Sequence, residues 1–201
     1  GQVYIGDSSN HRVRLLENAS PVPGEAIGWK RIGLDERFRA EGVAIADVNR
    51  DGRNDVIAGD VWYRAPDWKV HEIRKPGDFV AGKGYSDCFA NFAWDINGDG
   101  YPDIVVGAPQ PSLVGLPGYI KVVSGKDGKL LAHINGAKIT DRFGFSVSGA
   151  GDVNNDGYPD IYLANGGPQM YRLEPNVLFL NLGDGTFADV TEATGVGNMG
   201  K

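Results

Sequence analysis

The sequence lacks most features of disulfide-rich, membrane-spanning or nucleic-acid-binding proteins. Among its 201 residues there is a single cysteine, Cys88, so no disulfide framework can form. No apolar run approaches the roughly 18 residues that a membrane-spanning helix requires. The basic residues are scattered and the formal net charge is -6, which argues against a nucleic-acid partner. With 41% hydrophobic and 23% charged residues, the composition is that of an ordinary globular chain.

Residue groups typical of catalytic sites are also scarce. The three histidines, His11, His71 and His133, lie far apart in strand-like segments and have no metal-ligand spacing. A cysteine nucleophile needs an activating base, and none accompanies Cys88 in the sequence. We therefore predict structural roles for these four side chains and assign no catalytic residue. Acid–base catalysis by the aspartates is disfavoured, because carboxylates that hold a metal ion are poor proton carriers.

One nine-residue pattern occurs three times, in DVNRDGRND, DINGDGYPD and DVNNDGYPD. Side-chain oxygens recur at positions 1, 3, 5 and 9, and position 7 can offer its backbone carbonyl. Oxygen ligands around a tight turn with a glycine are what calcium requires. The predicted metal ligands of the three Asp loops are Asp47, Asn49, Asp51, Arg53 and Asp55; Asp95, Asn97, Asp99, Tyr101 and Asp103; and Asp152, Asn154, Asp156, Tyr158 and Asp160.

Two interpretations of these Asp loops compete. Asp, Asn and Gly dominate ordinary hairpin turns, so one copy alone could be a polar turn. Three copies in register, each between apolar strand-like runs, favour calcium binding, with about three ions. The first six positions match the EF-hand loop, but position 12 is Ala58, Val106 or Leu163 instead of glutamate, and a strand-like run follows. Three calcium ions would balance the net charge of -6.

The spacing of the Asp loops predicts an all-β fold. The loops begin 48 and 57 residues apart, with several short strands in each interval, which is typical of propeller blades. We predict one β-propeller domain over residues 1–201, with four blade-like units at about 1–40, 41–85, 86–140 and 141–201. The only helix signal is at Val190 to Ala193.

The predicted strands follow apolar alternation. In the second unit the pattern predicts strands over 42–48, 55–63 and 69–75, and in the third and fourth units four strands each. The first unit has three strands and lacks its own Asp loop. We therefore expect either the tail after Thr191 or a preceding segment to complete it, and the alternatives of a fragment, a chimera, a design or an open portion of a larger propeller stay open.

Several motifs resemble FG-GAP repeats, as in integrin alpha-subunit propellers. Phe143-Gly144 matches the FG half and Gly107-Ala108-Pro109 matches the GAP half, although no single unit carries both. The tail from Val177 to Phe187 resembles VCBS and ASPIC/UnbV-type repeats, and Gly6 to Val13 is faintly similar to NHL repeats. The resemblance implies a propeller in which calcium stiffens the hairpin of the first two strands, while partners bind loops elsewhere.

The functional prediction is a calcium-stabilised extracellular or cell-surface module that binds a protein or carbohydrate, in adhesion or structural assembly. A secreted or periplasmic location would suit calcium sites of low affinity. In an architectural variant, open blade edges pair with another copy. The alternative function is an accessory or catalytic propeller domain of a secreted enzyme, of polysaccharide lyase or phospholipase type. The loops at 74–84 and 110–117 are the predicted partner contacts.

Overall fold

The computed structural model of the chain is built almost entirely of antiparallel sheets. The structure describes residues 2–7, 12–18, 29–109, 115–139, 142–164 and 175–197, with side chains from residue 32 onward. Four sheets follow one another along the chain, and within each sheet the strands lie in sequence order. This up-and-down order is that of propeller blades and agrees with the predicted all-β class.

The strands of the first two sheets contain many β-branched and aromatic residues, which favour the pleated conformation. The first sheet has three strands, β1 (Gln2–Asp7), β2 (Arg12–Asn18) and β3 (Trp29–Asp35). The second sheet has four, β4 (Ala44–Ala46), β5 (Asp55–Ala58), β6 (Val61–Arg64) and β7 (Lys69–Glu72). Within the described residues, the first sheet thus has the three strands that the sequence predicted.

The third and fourth sheets have four strands each, as predicted. The third consists of β8 (Ala90–Trp94), β9 (Asp103–Ala108), β10 (Tyr119–Val123) and β11 (Leu130–Asn135). The fourth consists of β12 (Val147–Gly151), β13 (Asp160–Leu163), β14 (Val177–Asn181) and β15 (Phe187–Asp189). A single helical turn, α1 (Thr191–Thr194), follows at the place where the sequence indicated a helix start. No helix within the described ranges is long and apolar enough to cross a membrane.

One predicted strand is wrong. The run from Asp55 to Tyr63 forms two strands, β5 and β6, joined by a tight turn at Gly59 and Asp60. Gly59 has φ +64°, and a Cβ there would lie 2.6 Å from the carbonyl oxygen of Arg39. Only glycine combines this φ with so close an approach of two backbones. The apolar pattern continues through the turn, so strand periodicity alone conceals it.

The core lies between neighbouring sheets. Between the second and third sheets, Ala44, Ile57 and Ile104 pack with Val106 and Cys88. Between the third and fourth, a larger set packs together, comprising Ile96, Val105, Ile120, Val122, Phe143, Val147, Ile161, Leu163 and Phe179. The first strands β4, β8 and β12 contact each other in that order. The second and third sheets therefore each bury apolar side chains against the next sheet, as in a propeller.

The first and second sheets are joined by a buried polar cluster around Asp35. Its carboxylate accepts hydrogen bonds from Arg39 Nε at 2.9 Å, from the Tyr63 hydroxyl at 3.1 Å and from the Arg37 backbone N–H at 2.9 Å. Burial alone would raise the pKa of Asp35, but the hydrogen bonds from Arg37 and Arg39 outweigh it and hold the pKa at about 2. Asp35 is therefore ionised at neutral pH and compensates the buried Arg39 charge.

The meander order sorts the loops onto two ends of the molecule. Because consecutive strands run antiparallel, each Asp loop between a first and a second strand shares its end with the turn between the third and fourth strands. The connections between sheets, such as residues 73–89 and the described residues 136–139 and 142–146, lie at the opposite end. We call these the Asp-loop end and the connection end.

Candidate metal centres

Each Asp loop joins the first and second strands of its sheet. The first (47–55) lies between β4 and β5, the second (95–103) between β8 and β9, and the third (152–160) between β12 and β13. The fold thus places the three loops, with their predicted ligands, at one end of the molecule. The sequence places them there because six of the nine positions are Asp, Asn or Gly, residues that favour tight turns.

Side-chain oxygens within each loop accept hydrogen bonds from the loop's own backbone. In the first loop, Asp47 accepts from the N–H groups of Asp51 at 2.9 Å and Gly52 at 2.8 Å. Asp152 repeats both bonds in the third loop. The asparagine at position 3 of each loop accepts a hydrogen bond from the N–H of position 5, in the pairs Asn49–Asp51, Asn97–Asp99 and Asn154–Asp156. The aspartate at position 5 accepts one from the N–H of position 7, in the pairs Asp51–Arg53, Asp99–Tyr101 and Asp156–Tyr158.

The aspartate at position 9 of each loop accepts hydrogen bonds from backbone N–H groups instead of facing the other carboxylates of the loop. Asp55, Asp103 and Asp160 are all fully buried. One oxygen of Asp55 accepts from the Val48 N–H at 3.0 Å, and the other accepts from the Ala65 N–H at 2.8 Å. Each of these aspartates ties its loop to the residue at or just after the end of the third strand, so we call them the anchor aspartates.

Asp103 has the densest set of backbone partners. It accepts hydrogen bonds from the N–H groups of Ile96 at 3.0 Å, Asn97 at 3.2 Å and Gly125 at 3.2 Å. Burial, with a smaller contribution from the nearby Asp99, raises the pKa of Asp103 to about 6, although these three N–H groups favour the ionised form. Burial likewise raises the pKa of Asp55, against the Ala65 and Val48 N–H groups. A cation at these loops would favour the ionised carboxylates.

The second loop contains a buried oxygen that has no hydrogen-bond partner. Asp95 Oδ2 accepts from the Gly100 N–H at 2.8 Å, but Oδ1 is buried without a partner. A buried carboxylate oxygen without a donor is costly, and a cation would satisfy it. The donor set, of carboxylate, amide and backbone oxygens, also fits calcium.

Among the described residues, the carboxylates by themselves do not form a metal site. Across the described residues, no group of three or more His, Cys, Asp or Glu side chains is placed so that it could hold a metal ion. The anchor aspartates explain this, because both of their oxygens point at backbone N–H groups. Metal binding would therefore depend on asparagine and backbone oxygens as well. As metal ligands, the fifteen residues stay a prediction.

Contacts between the loops were not visible in the sequence. The Arg50 guanidinium of the first loop lies 5.1 Å from the ring centre of Tyr101 in the second. Asn181, on β14, donates from Nδ2 to the Ile96 carbonyl at 2.7 Å, while its own N–H binds the anchor Asp160 at 2.8 Å. These links make the row of loops continuous. They are long-range pairings, and nothing in the local pattern indicates them.

The two halves of the predicted FG-GAP motif meet across neighbouring sheets at the connection end. Gly107 and Ala108 end β9, and Phe143-Gly144 precede β12. A Cβ at Gly107 would overlap the Gly144 carbonyl oxygen, and a Cβ at Gly144 would lie 2.5 Å from the Tyr119 carbonyl oxygen. Phe143 is buried, and its ring lies edge-on to that of Phe179 with 6.1 Å between the ring centres. The motif therefore describes a contact between two units.

Comparison with known proteins agrees with this geometry. A family model described as an FG-GAP-like repeat matches residues 95–163 and 152–200, together just over half of the chain. The chain belongs to the FG-GAP repeat family. The predicted recognition is confirmed in that part, whereas no match supports an ASPIC/UnbV-type tail.

Integrin alpha subunits are among the proteins similar to this chain. The chain is 35% identical over 153 residues to integrin alpha pat-2 of Caenorhabditis elegans, covering 59% of this chain and 12% of that protein. It is 30% identical over 166 residues to integrin alpha-IIb of Mus musculus, covering 68% of this chain and 16% of that protein. The chain therefore spans less than about a sixth of the length of each of these relatives.

One solved structure has a low-level likeness to the chain. The likeness is to an Agrocybe aegerita lectin that recognises non-reducing terminal N-acetylglucosamine, with a TM-score of 0.49 and 20% identity. It covers 93% of this chain and 51% of that chain. At this level the likeness carries no argument about ligands.

The described side chains that were considered for catalysis are either buried or packed against an aromatic ring. Cys88 is buried, and burial raises the pKa of its thiol to about 12, so the thiol is protonated at neutral pH. His71 stacks on Trp62 at 4.5 Å, and His133 lies edge-on to Tyr119 at 5.3 Å. His11 lies outside the described residues.

Proposed function

We propose that this FG-GAP repeat chain is a calcium-stabilised extracellular module of adhesion type that binds a protein partner. The observation that carries the proposal is the row of three Asp loops at one end of consecutive sheets, which the anchor aspartates tie to residues at or just after the ends of the third strands. Similarity to integrin alpha subunits supports the adhesion class and the extracellular setting. The division into four units and the fifteen ligand residues belong to this proposal, and no enzymatic role is included.

Calcium should act by holding the Asp loops. Sites with dissociation constants of about 0.1–1 mM would each add about 0.5–2 kcal/mol at millimolar calcium. For three sites in a domain of this size we expect about 2 mM calcium to raise the melting temperature by about 5–15 °C over chelator. Magnesium should give a much smaller shift, because it demands a smaller, more regular shell.

The matched control for calcium replaces the position-5 aspartates. A variant with Asp51→Asn, Asp99→Asn and Asp156→Asn keeps side-chain size but loses three carboxylates. It should melt like the parent protein in chelator and gain little from calcium. An equal calcium shift in both proteins would remove the loops from the proposal, and no shift in the parent would remove calcium altogether.

The connection end is the proposed partner surface. Val80 and Tyr85 are exposed there, and Tyr85 rests edge-on against Phe89 at 5.4 Å, which in turn contacts Phe145 at 4.5 Å. Exposed aromatic groups on a rigid scaffold are typical of protein-binding surfaces. The predicted loop 74–84 contributes to this surface, whereas residues 110–114 of the other predicted loop lie outside the described residues.

Binding to intact cells tests the partner class. We expect saturable, calcium-dependent binding in flow cytometry, and at least a fivefold weaker affinity for a Val80→Ser, Tyr85→Ala variant, as is usual for hot-spot side chains. Leu182→Ser, an equally exposed apolar change at the Asp-loop end, is the control. Protease treatment of the cells should abolish binding. Loss after glycosidase treatment alone would instead identify a carbohydrate partner.

A further inference from the structure

The second Asp loop is the one beside which the structure places two cationic side chains from other segments. Lys126, in the turn between β10 and β11, has its Nζ 3.8 Å from Asp99 Oδ2 and 5.4 Å from the ring centre of Tyr101. Arg50 of the first loop lies over the same ring at 5.1 Å. A Cβ at Gly100 would be 3.0 Å from the Arg50 Nη1, so the guanidinium covers the loop's sixth position.

The repeat supplies an internal comparison. Each anchor aspartate accepts a hydrogen bond from an N–H at or just after the end of the third strand. The residue after that N–H is Lys126 beside the second loop, Leu182 beside the third and Pro66 beside the first. The fourth loop position also differs: Arg50 of the first loop reaches the second, whereas Gly98 of the second faces Tyr158 of the third without a side chain. Among the described residues, Arg64 also lies near Asp51 and Asp55 of the first loop, but it pairs with Asp67 at 2.7 Å. The positions of Lys126 and Arg50 beside the second loop do not follow from the motif.

We propose that Lys126 competes with a divalent cation for Asp99 and so sets the affinity of the second loop below what its oxygen donors would otherwise give. The inference rests on the proposed calcium binding by these loops. The Lys126 Nζ lies within ion-pair distance of the Asp99 carboxylate at position 5, and Arg50 adds a second positive charge nearby. Asp95 Oδ1 stays buried and without a partner, so the ammonium does not replace the ion at every donor.

The test isolates the second loop and removes the ammonium. Asp47→Ala and Asp152→Ala would silence the first and third loops, and Lys126→Leu would then supply the residue found beside the third. We expect the calcium dissociation constant from calorimetry to fall about two- to fivefold at low salt, the size of effect typical of a partly exposed ion pair. Terbium luminescence sensitised by Tyr101 should show the same change, and about 0.5 M salt should shrink it.

Lys129→Leu is the matched control. It removes the same charge from the same turn, but Lys129 pairs with Asp127 at 2.5 Å and not with a loop residue. We expect less than about a 1.5-fold change for it, because exposed charges at greater distance are screened, and parent-like affinity for Lys126→Arg. Equal affinities of the Lys126→Leu and Lys129→Leu proteins would overturn this inference alone. Absence of calcium binding in the parent and every variant would overturn the proposed function with it.

Discussion

Replacing Asp103 with alanine should lower the free energy of unfolding by about 3–5 kcal/mol even when no metal is present. The change leaves the N–H groups of Ile96, Asn97 and Gly125 without their acceptor, the first in a buried and the other two in a part-buried site. Each unsatisfied buried donor costs about 1–3 kcal/mol, and partial relaxation lowers the sum. Since a domain has about 5–15 kcal/mol in total, this one carboxylate carries a large share of the stability.

Urea unfolding in chelator measures this effect, with Asp99→Ala as the control. Asp99 is only part-buried and holds one loop N–H and the Lys126 pair, so its replacement should cost less than about 1 kcal/mol without metal. Both variants should lose calcium binding at the second loop. Asp103→Asn keeps one acceptor oxygen and should fall between them. Equal destabilisation by the two alanine variants would show that Asp103 is no more than another loop carboxylate.

Gly144→Ala should destabilise the protein by about 3–5 kcal/mol through the contact between the third and fourth sheets. The new Cβ would lie 2.5 Å from the Tyr119 carbonyl oxygen and 2.8 Å from the Ala108 nitrogen. Both atoms belong to strand backbone, so neither can move without disturbing a sheet. The φ of +84° adds strain of about 1 kcal/mol for any residue with a Cβ.

Gly151→Ala separates the two contributions. Gly151 has a similar φ of +80°, but nothing lies within 4 Å of the place where its Cβ would be. It should therefore cost only the conformational strain, about 1 kcal/mol. Both variants are compared by urea unfolding without calcium, because Gly151 precedes the third loop. A Gly144 variant no less stable than the Gly151 variant would contradict the packing role of the FG half.

The sequence alone determined the local features. Turn residues at set positions and apolar alternation between them specify the Asp loops, the four-strand units and the helix start, because these depend on neighbours within about ten residues. The error at 55–63 had a local signal as well. Gly59-Asp60 is a two-residue hairpin pair with Gly59 at φ +64°, and the apolar residues on both sides of it were interpreted as one strand.

Only the tertiary structure decided how repeated pieces meet. In the sequence Gly107-Ala108 and Phe143-Gly144 are incomplete halves in separate units, yet they form one close contact across two sheets. Position 9 of each loop reads as one more oxygen ligand, but burial turns both oxygens of Asp55 to backbone N–H groups. Lys126 has no local partner in the pattern that would mark it. The physical reason is common to all three: packing between sheets, and not the spacing within a repeat, sets which groups lie within hydrogen-bond or ion-pair distance.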